Sequence, residues 1–185
     1  MKKLLCLSLL MSSAMVQAAD WTPVFKPLEE GCIGDSPVLS SITEQLITWQ
    51  QQQDGSSRPI VNKNAQQGKY RHVPQPYFSD LKPAIIKKMK LGKDYPNDYT
   101  HIYVGLKNAQ LYQLPIDGFA QYVDGENGIS GKIILFKPMT QQHYNRLKKI
   151  KFRIEPDAEF QGSIQKAPNG QVYLWCDNSN ANLNF

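Results

Sequence analysis

The chain has 185 residues, 41% of them hydrophobic and 20% charged, with 12 Gly, 12 Pro and three Cys. That length suits one medium domain and is too short for a multidomain enzyme. A domain of this size buries roughly 70% of the surface its unfolded chain exposes, so it needs no dense disulfide framework. The composition also excludes a disordered tail protein and a collagen-like chain. The formal charge is +5.

Residues Met1 to Ala18 read as a cleaved secretory signal. Lys2 and Lys3 form the charged start, Leu4 to Met11 the apolar stretch, and Val16-Gln17-Ala18 the small-residue cleavage pattern. The run from Leu4 to Val16 is 13 residues with three serines inside it, short of the roughly 20 apolar residues that span a bilayer. No transmembrane segment is expected after cleavage, and residues 19–185 are expected to form a single periplasmic domain. Without Lys2 and Lys3 that domain carries 19 basic and 16 acidic side chains, a net +3. The charge is unevenly placed: from Arg58 to Lys93 there are nine bases and one acid, and from Lys137 to Arg153 six bases and no acid. Such blocks either steer an oppositely charged partner or are solvated surface.

Asp35-Ser36-Pro37 supplies a capping side chain and then Pro at a first helical position. Leu39, Ile42, Leu46 and Trp49 follow at spacings of three and four, which predicts a helix fading within Gln50 to Gln53. The polar stretch from 54 to 68, with Gly55 and Pro59, reads as a long loop. Ser79 or Asp80 could cap a short helix reaching Leu91, with Leu81, Ile85 and Met89 at fours; a strand is the alternative there. From Tyr99 the period changes to two, so Ile102, Val104 and Leu106 share one face of a strand and His101 and Tyr103 the other. Strands are predicted at Ala109–Gln113, Ile116–Val123 and Ile129–Phe136, the last two joined as a hairpin by the Asn-Gly signal in Asp124 to Gly128. Thr140 caps a helix to about Ile150. Phe160–Lys166, an Ala167-Pro168-Asn169-Gly170 turn and Gln171–Cys176 complete the chain, with Val172, Leu174 and Cys176 on one strand face. Strands in runs with helices set apart predict an α+β fold: an antiparallel sheet of about five to seven strands with two or three helices.

An exported chain meets an oxidising compartment, and removal of the signal leaves Cys32 and Cys176 as the only thiols. They are expected to form one disulfide.

A search for chemistry finds no catalytic constellation. Gly34-Asp35-Ser36 is similar to the nucleophile block of an esterase class, but the Asp-x-x-His which that class carries near its C-terminus is missing, and a helix cap accounts for Asp35 and Ser36. His72, His101 and His143 lack zinc spacing, Asp124, Glu126 and Asn127 lack the closing acid of a calcium loop, and the alternating Glu155, Asp157 and Glu159 show no paired environments. No metal site, no cofactor and no enzymatic activity are expected. The export signal argues against a nucleic-acid partner, despite tyrosines near the basic blocks.

The run Tyr99 to Phe136, YTHIYVGLKNAQLYQLPIDGFAQYVDGENGISGKIILF, and the terminal YLWCDN resemble small secreted proteobacterial proteins. Some of these resemble periplasmic immunity proteins that bind and block toxic effectors delivered by type VI secretion systems. The resemblance implies a non-enzymatic periplasmic binder whose protein partner is a secreted effector, such as a lipase or peptidoglycan hydrolase, with its active site occluded. Candidate contact residues are Tyr70, Arg71, Tyr77, Asp124, Glu126 and Asn127, chosen for expected exposure. The alternative is an envelope accessory protein that binds anionic lipid or polysaccharide through Lys82, Lys87, Lys88 and Lys90.

Overall fold

The structure, a computed structural model, describes residues 18–93, 99–124, 130–153 and 162–177. Its first half comprises β1 (Ala19–Asp20), α1 (Thr22–Phe25), a 3-10 turn (Lys26–Glu29), α2 (Pro37–Thr43), β2 (Ile47–Gln51), β3 (Ser57–Val61), α3 (Lys63–Gln66), α4 (Tyr77–Asp80) and β4 (Leu81–Ile86). The long strands follow: β5 (Thr100–Leu111), β6 (Leu114–Val123) and β7 (Ser130–Phe136), then α5 (Gln141–Leu147), β8 (Gly162–Lys166) and β9 (Val172–Asp177). The fold is α+β.

The caps predicted from sequence are present. The Leu39 N–H donates to Ser36 Oγ at 3.1 Å, and the His143 N–H to Thr140 Oγ1 at 3.3 Å. The first helix is shorter than its apolar stripe, however. The Thr43 hydroxyl bonds back to Leu39 O, and the chain turns at Glu44 into Ile47-Thr48-Trp49, residues that favour a pleated strand. There β2 pairs antiparallel with β3. The expected loop at 54–68 is therefore mostly ordered: a tight tip, with Asp54 accepting from Ser56 N–H and Oγ, then β3 and α3.

The second helix expectation is also corrected. Only Tyr77–Asp80 is helical, and the chain becomes extended at Leu81. Pro83 supplies the reason: it offers no N–H, and it biases Lys82 toward extended geometry. The alternative strand is the one formed.

The main sheet runs β8-β9-β7-β6-β5, and the outer edge of β5 carries two partners. β4 lies antiparallel to Ile102–Leu106, and β1 lies parallel to Ala109–Gln110, which makes the sheet mixed, with seven strands. β2 and β3 form a separate two-stranded sheet. The described α-helices number five, more than the two or three expected, because three of them are single four-residue turns.

The two strands expected at 99–113 are one, β5, which turns back at Tyr112 and Gln113 with φ of 52° and 63°. Two left-handed residues in a two-residue loop match the right-handed twist of the flanking strands. No Gly or Asn announces this hairpin in the sequence. At Gly118, by contrast, a side chain is impossible without rearrangement, because a Cβ would meet Val104 O and the Tyr103 hydroxyl.

Both sheet faces are covered. Ile102, Val104, Leu106, Phe119, Ile134, Val172 and Leu174 meet Trp21, Phe25, Leu28, Leu39 and Ile42 from the helical layer. Tyr103, Ala120, Tyr122, Ile133, Leu135, Tyr173 and Trp175 pack on the other face with Met89 and Leu91. Double burial explains why β7 reads as a continuous apolar run, Ile133 to Phe136. The Cys32–Cys176 disulfide is formed, with Cα atoms 5.3 Å apart, on the face that Val172 and Leu174 share. No helix among the described residues is long and apolar enough to cross a membrane.

His101 is buried on the second face, its ring 6.2 Å from that of Tyr122. Burial disfavours the imidazolium and lowers its pKa from 6.5 to about 4. In the pH window between those values the unfolded chain binds more protons than the folded one, so stability falls as pH drops. The loss expected between pH 7 and pH 5 is about 2 kcal/mol. Urea midpoints across that range should show it, and His101→Leu should flatten this part of the profile. An equally steep decline in the variant would refute the assignment.

Candidate functional site

The residues singled out from sequence do not converge on one surface. Tyr70 is in the core, where its hydroxyl donates to Lys82 O at 3.0 Å and burial raises its pKa. Arg71 is exposed, and its backbone is fastened by Gln45, whose side chain accepts from Arg71 N–H at 2.7 Å and donates to Arg71 O at 2.9 Å. Tyr77 is half-buried with its ring against Trp21, centroids 5.1 Å apart. Asp124 stands just past β6; Glu126 and Asn127 lie outside the described residues. Lys82, Lys88 and Lys90 are exposed, whereas Lys87 lies 4.0 Å above the Tyr103 ring, a cation–π contact.

Gly34-Asp35-Ser36 is structural. Ser36 caps α2, and Asp35 Oδ2 sits 3.1 Å from the buried Lys132 ammonium. Gly34 passes against Pro27, whose carbonyl oxygen a Cβ would strike. Among the described residues no group of three or more His, Cys, Asp or Glu is placed to hold a metal ion.

Two places have shape or chemistry that the sequence did not reveal. The first is an open cleft of about 430 Å³ lined by Asp20, Thr22, Tyr112, Gln113, Arg146, Leu147 and Ile150. Its polar groups hold the left-handed turn. Tyr112 N–H donates to Thr22 Oγ1 at 2.9 Å, the Tyr112 hydroxyl to Glu29 at 2.6 Å, and Arg146 Nη2 to Tyr112 O at 3.2 Å. Burial and the Glu29 carboxylate keep that phenol protonated by raising its pKa. These bonds offset the strain of two left-handed residues, so the cleft is explained by the fold.

The second is β4, which the fold does not explain away. Ile85 and Ile86 are 51% and 62% exposed, on consecutive residues of an edge strand. Phe78, on the preceding helix α4, is also exposed. Ile85 is in register with Tyr103 and Ile86 with Ile102, so their side chains leave the strand toward opposite faces of the sheet. Lys82 runs its stem toward Gly105 on the Tyr103 side, and Lys87 crosses the Tyr103 ring on that side. Ile85 is thus bracketed by two cations. Asp80, the one acid between Arg58 and Lys93, is 6% exposed and accepts the Trp21 indole N–H at 3.0 Å. The exposed charge that β4 and the residues after it carry, from Leu81 to Lys93, is entirely basic.

Sequence reading placed Ile85 on the buried stripe of a helix and so missed the edge. The usable signal was Pro83, which rejects that helix. The cleft carried no comparable signal, since its residues come from three distant segments. Comparison of the chain with protein-family models, with curated proteins and with solved structures finds no match.

Proposed function

We propose that this protein is an exported, non-enzymatic periplasmic binding protein that neutralises a toxic effector acting on the cell envelope, a lipase or peptidoglycan hydrolase, by occluding its active site. The observation that carries this reading is the pair of exposed isoleucines on an edge strand flanked by lysines. Adjacent large apolar side chains on a sheet edge are a liability that soluble proteins otherwise blunt, and they are the raw material of a protein interface. The Cys32–Cys176 bond supports the compartment, because disulfides persist where the surroundings are oxidising. The resemblance of the Tyr99–Phe136 run supports the class of partner.

The test begins with the neighbouring genes: a secreted-toxin gene there supplies the effector for co-export, and an envelope-biogenesis operon without one rejects the reading. Growth should be restored, and the two purified proteins should form a stable complex that blocks the toxin's active site. Continued toxicity with no complex rejects the reading.

The exposure of Lys82, Lys88 and Lys90 favours a second reading, attachment to anionic lipid or polysaccharide. Flotation with anionic vesicles should then fall when these three are replaced by Gln. Equal flotation of both forms would discard it.

A further inference from the structure

We infer that the partner contributes an extended acidic segment that adds to the sheet as a new strand alongside β4. The inference rests on the reading of this protein as a binder and specifies how the partner is held. The Lys87 N–H donates to His101 O at 3.0 Å, which makes Lys87–His101 a hydrogen-bonded pair of the antiparallel ladder. Pairs alternate along such a ladder, so Ile85–Tyr103 is also hydrogen-bonded, and Ala84–Val104 and Ile86–Ile102 are not. The N–H and C=O groups of Ala84 and Ile86 therefore point away from β5. Among the described residues β4 pairs with β5 alone, and no other backbone group bonds to Ala84 or Ile86. Ala84 is 1% exposed and the Tyr70 hydroxyl covers Lys82 O, so the start of the strand is closed and Ile86 is the open position of the edge.

Charge selects the occupant. Lys82 and Lys87 bracket Ile85 on one side of the edge, Lys88 and Lys90 continue beyond it, the nearest acid in sequence, Asp80, is turned inward to Trp21, and Asp117 on the Tyr103 side is engaged by the Tyr103 hydroxyl. A partner strand with acidic side chains on one face and apolar ones on the other sets its acids toward Lys82 and Lys87 and its apolar side chains toward Ile86, while its main chain bonds to Ile86. A second copy of this chain would set lysine against lysine, and like charges across a strand pair are unfavourable.

The probe is a synthetic eight-residue peptide alternating Glu and Val, with a Lys-Val peptide as its counterpart, each added to the full mature chain. Hydrogen exchange at the Ile86 amide should slow with the Glu-Val peptide and not with the Lys-Val one. Ile86→Pro removes the outward N–H without touching a β4–β5 bond, since edge strands tolerate Pro. It should weaken the peptide about tenfold or more. Ile86→Thr, which keeps the N–H, should retain the protection of the backbone amide at position 86.

Sedimentation should show a monomer; a dimer dispersed by Ile86→Pro would make a second copy the occupant and overturn the proposal. So would equal binding of both peptides, or a toxin complex indifferent to Ile86→Pro, and the latter would leave the neutralising function standing. Conversely, Glu-Val addition at Ile86 with no toxin bound would retain the strand-addition site and reject the function.

Discussion

Replacing Cys32 and Cys176 together by Ser is expected to lower the unfolding free energy by about 2–5 kcal/mol. The bond joins residues 144 apart in sequence, so it closes a loop containing nearly every element of the fold. Chain-entropy reasoning gives about 5 kcal/mol for a loop of that length, and residual order in the unfolded chain reduces it. Against a total stability of about 5–15 kcal/mol, the change is large enough to populate unfolded protein at growth temperature. The location sharpens the expectation. Cys32 holds a left-handed backbone, φ 64°, in the turn after the 3-10 segment, and Cys176 stands near the end of β9, in register with Lys132 on one side and Gly162 on the other. Opening the bond releases that turn and the approach to α2. Urea unfolding of the oxidised protein, the reduced protein and the double variant measures it, and single Cys32→Ser should match the double. A difference below about 1 kcal/mol would mean that packing alone fixes these segments.

How much of this was legible in the sequence follows from how local each cause is. The caps at Ser36 and Thr140 depend on one side chain and one N–H three residues on, and both were read correctly. The alternation of Ile102, Val104 and Leu106 with His101 and Tyr103 fixes two faces, and both faces are found in separate cores. The cysteine pairing followed from there being two thiols. Errors arose where two periods compete: Leu39, Ile42 and Leu46 are buried as a helix stripe would demand, yet Ile47 onward pairs as a strand. Spacing at fours from Leu81 to Met89 outweighed Pro83, when the single proline was the stronger fact. The candidate site suffered most, since exposure is a tertiary property. Tyr70 was chosen as a surface aromatic and is core, while Ile85 was chosen as core and is surface. An edge position depends on which strand lacks a second neighbour, and that is decided by pairing far along the chain.

The largest single-residue effect is expected at Trp21. Its ring is fully buried, stacked on Phe25 at 5.5 Å, met edge-on by Tyr77 at 5.1 Å and tilted against Phe119 at 6.5 Å. It therefore ties the N-terminal segment to α4 and to the middle of β6. Trp21→Ala removes that contact and should destabilise the fold by about 3–5 kcal/mol. It also strips the buried Asp80 carboxylate of the indole N–H, which adds roughly 1–3 kcal/mol for an orphaned acceptor. Trp21→Phe separates the two causes, because it keeps most of the apolar contact and loses the donor; only the smaller loss should remain. Asp80 ends α4 immediately before β4, so the indole bond also fixes where the open edge begins. Trp21→Phe should accordingly raise hydrogen exchange at Leu81 and weaken strand addition at Ile86, some 65 positions away in sequence, while leaving every residue of the edge in place. Exchange and urea midpoints on the same samples decide the matter. Wild-type stability in Trp21→Phe would show that the indole bond contributes nothing net, and unchanged exchange at Leu81 would show that β4 is positioned by β5 alone.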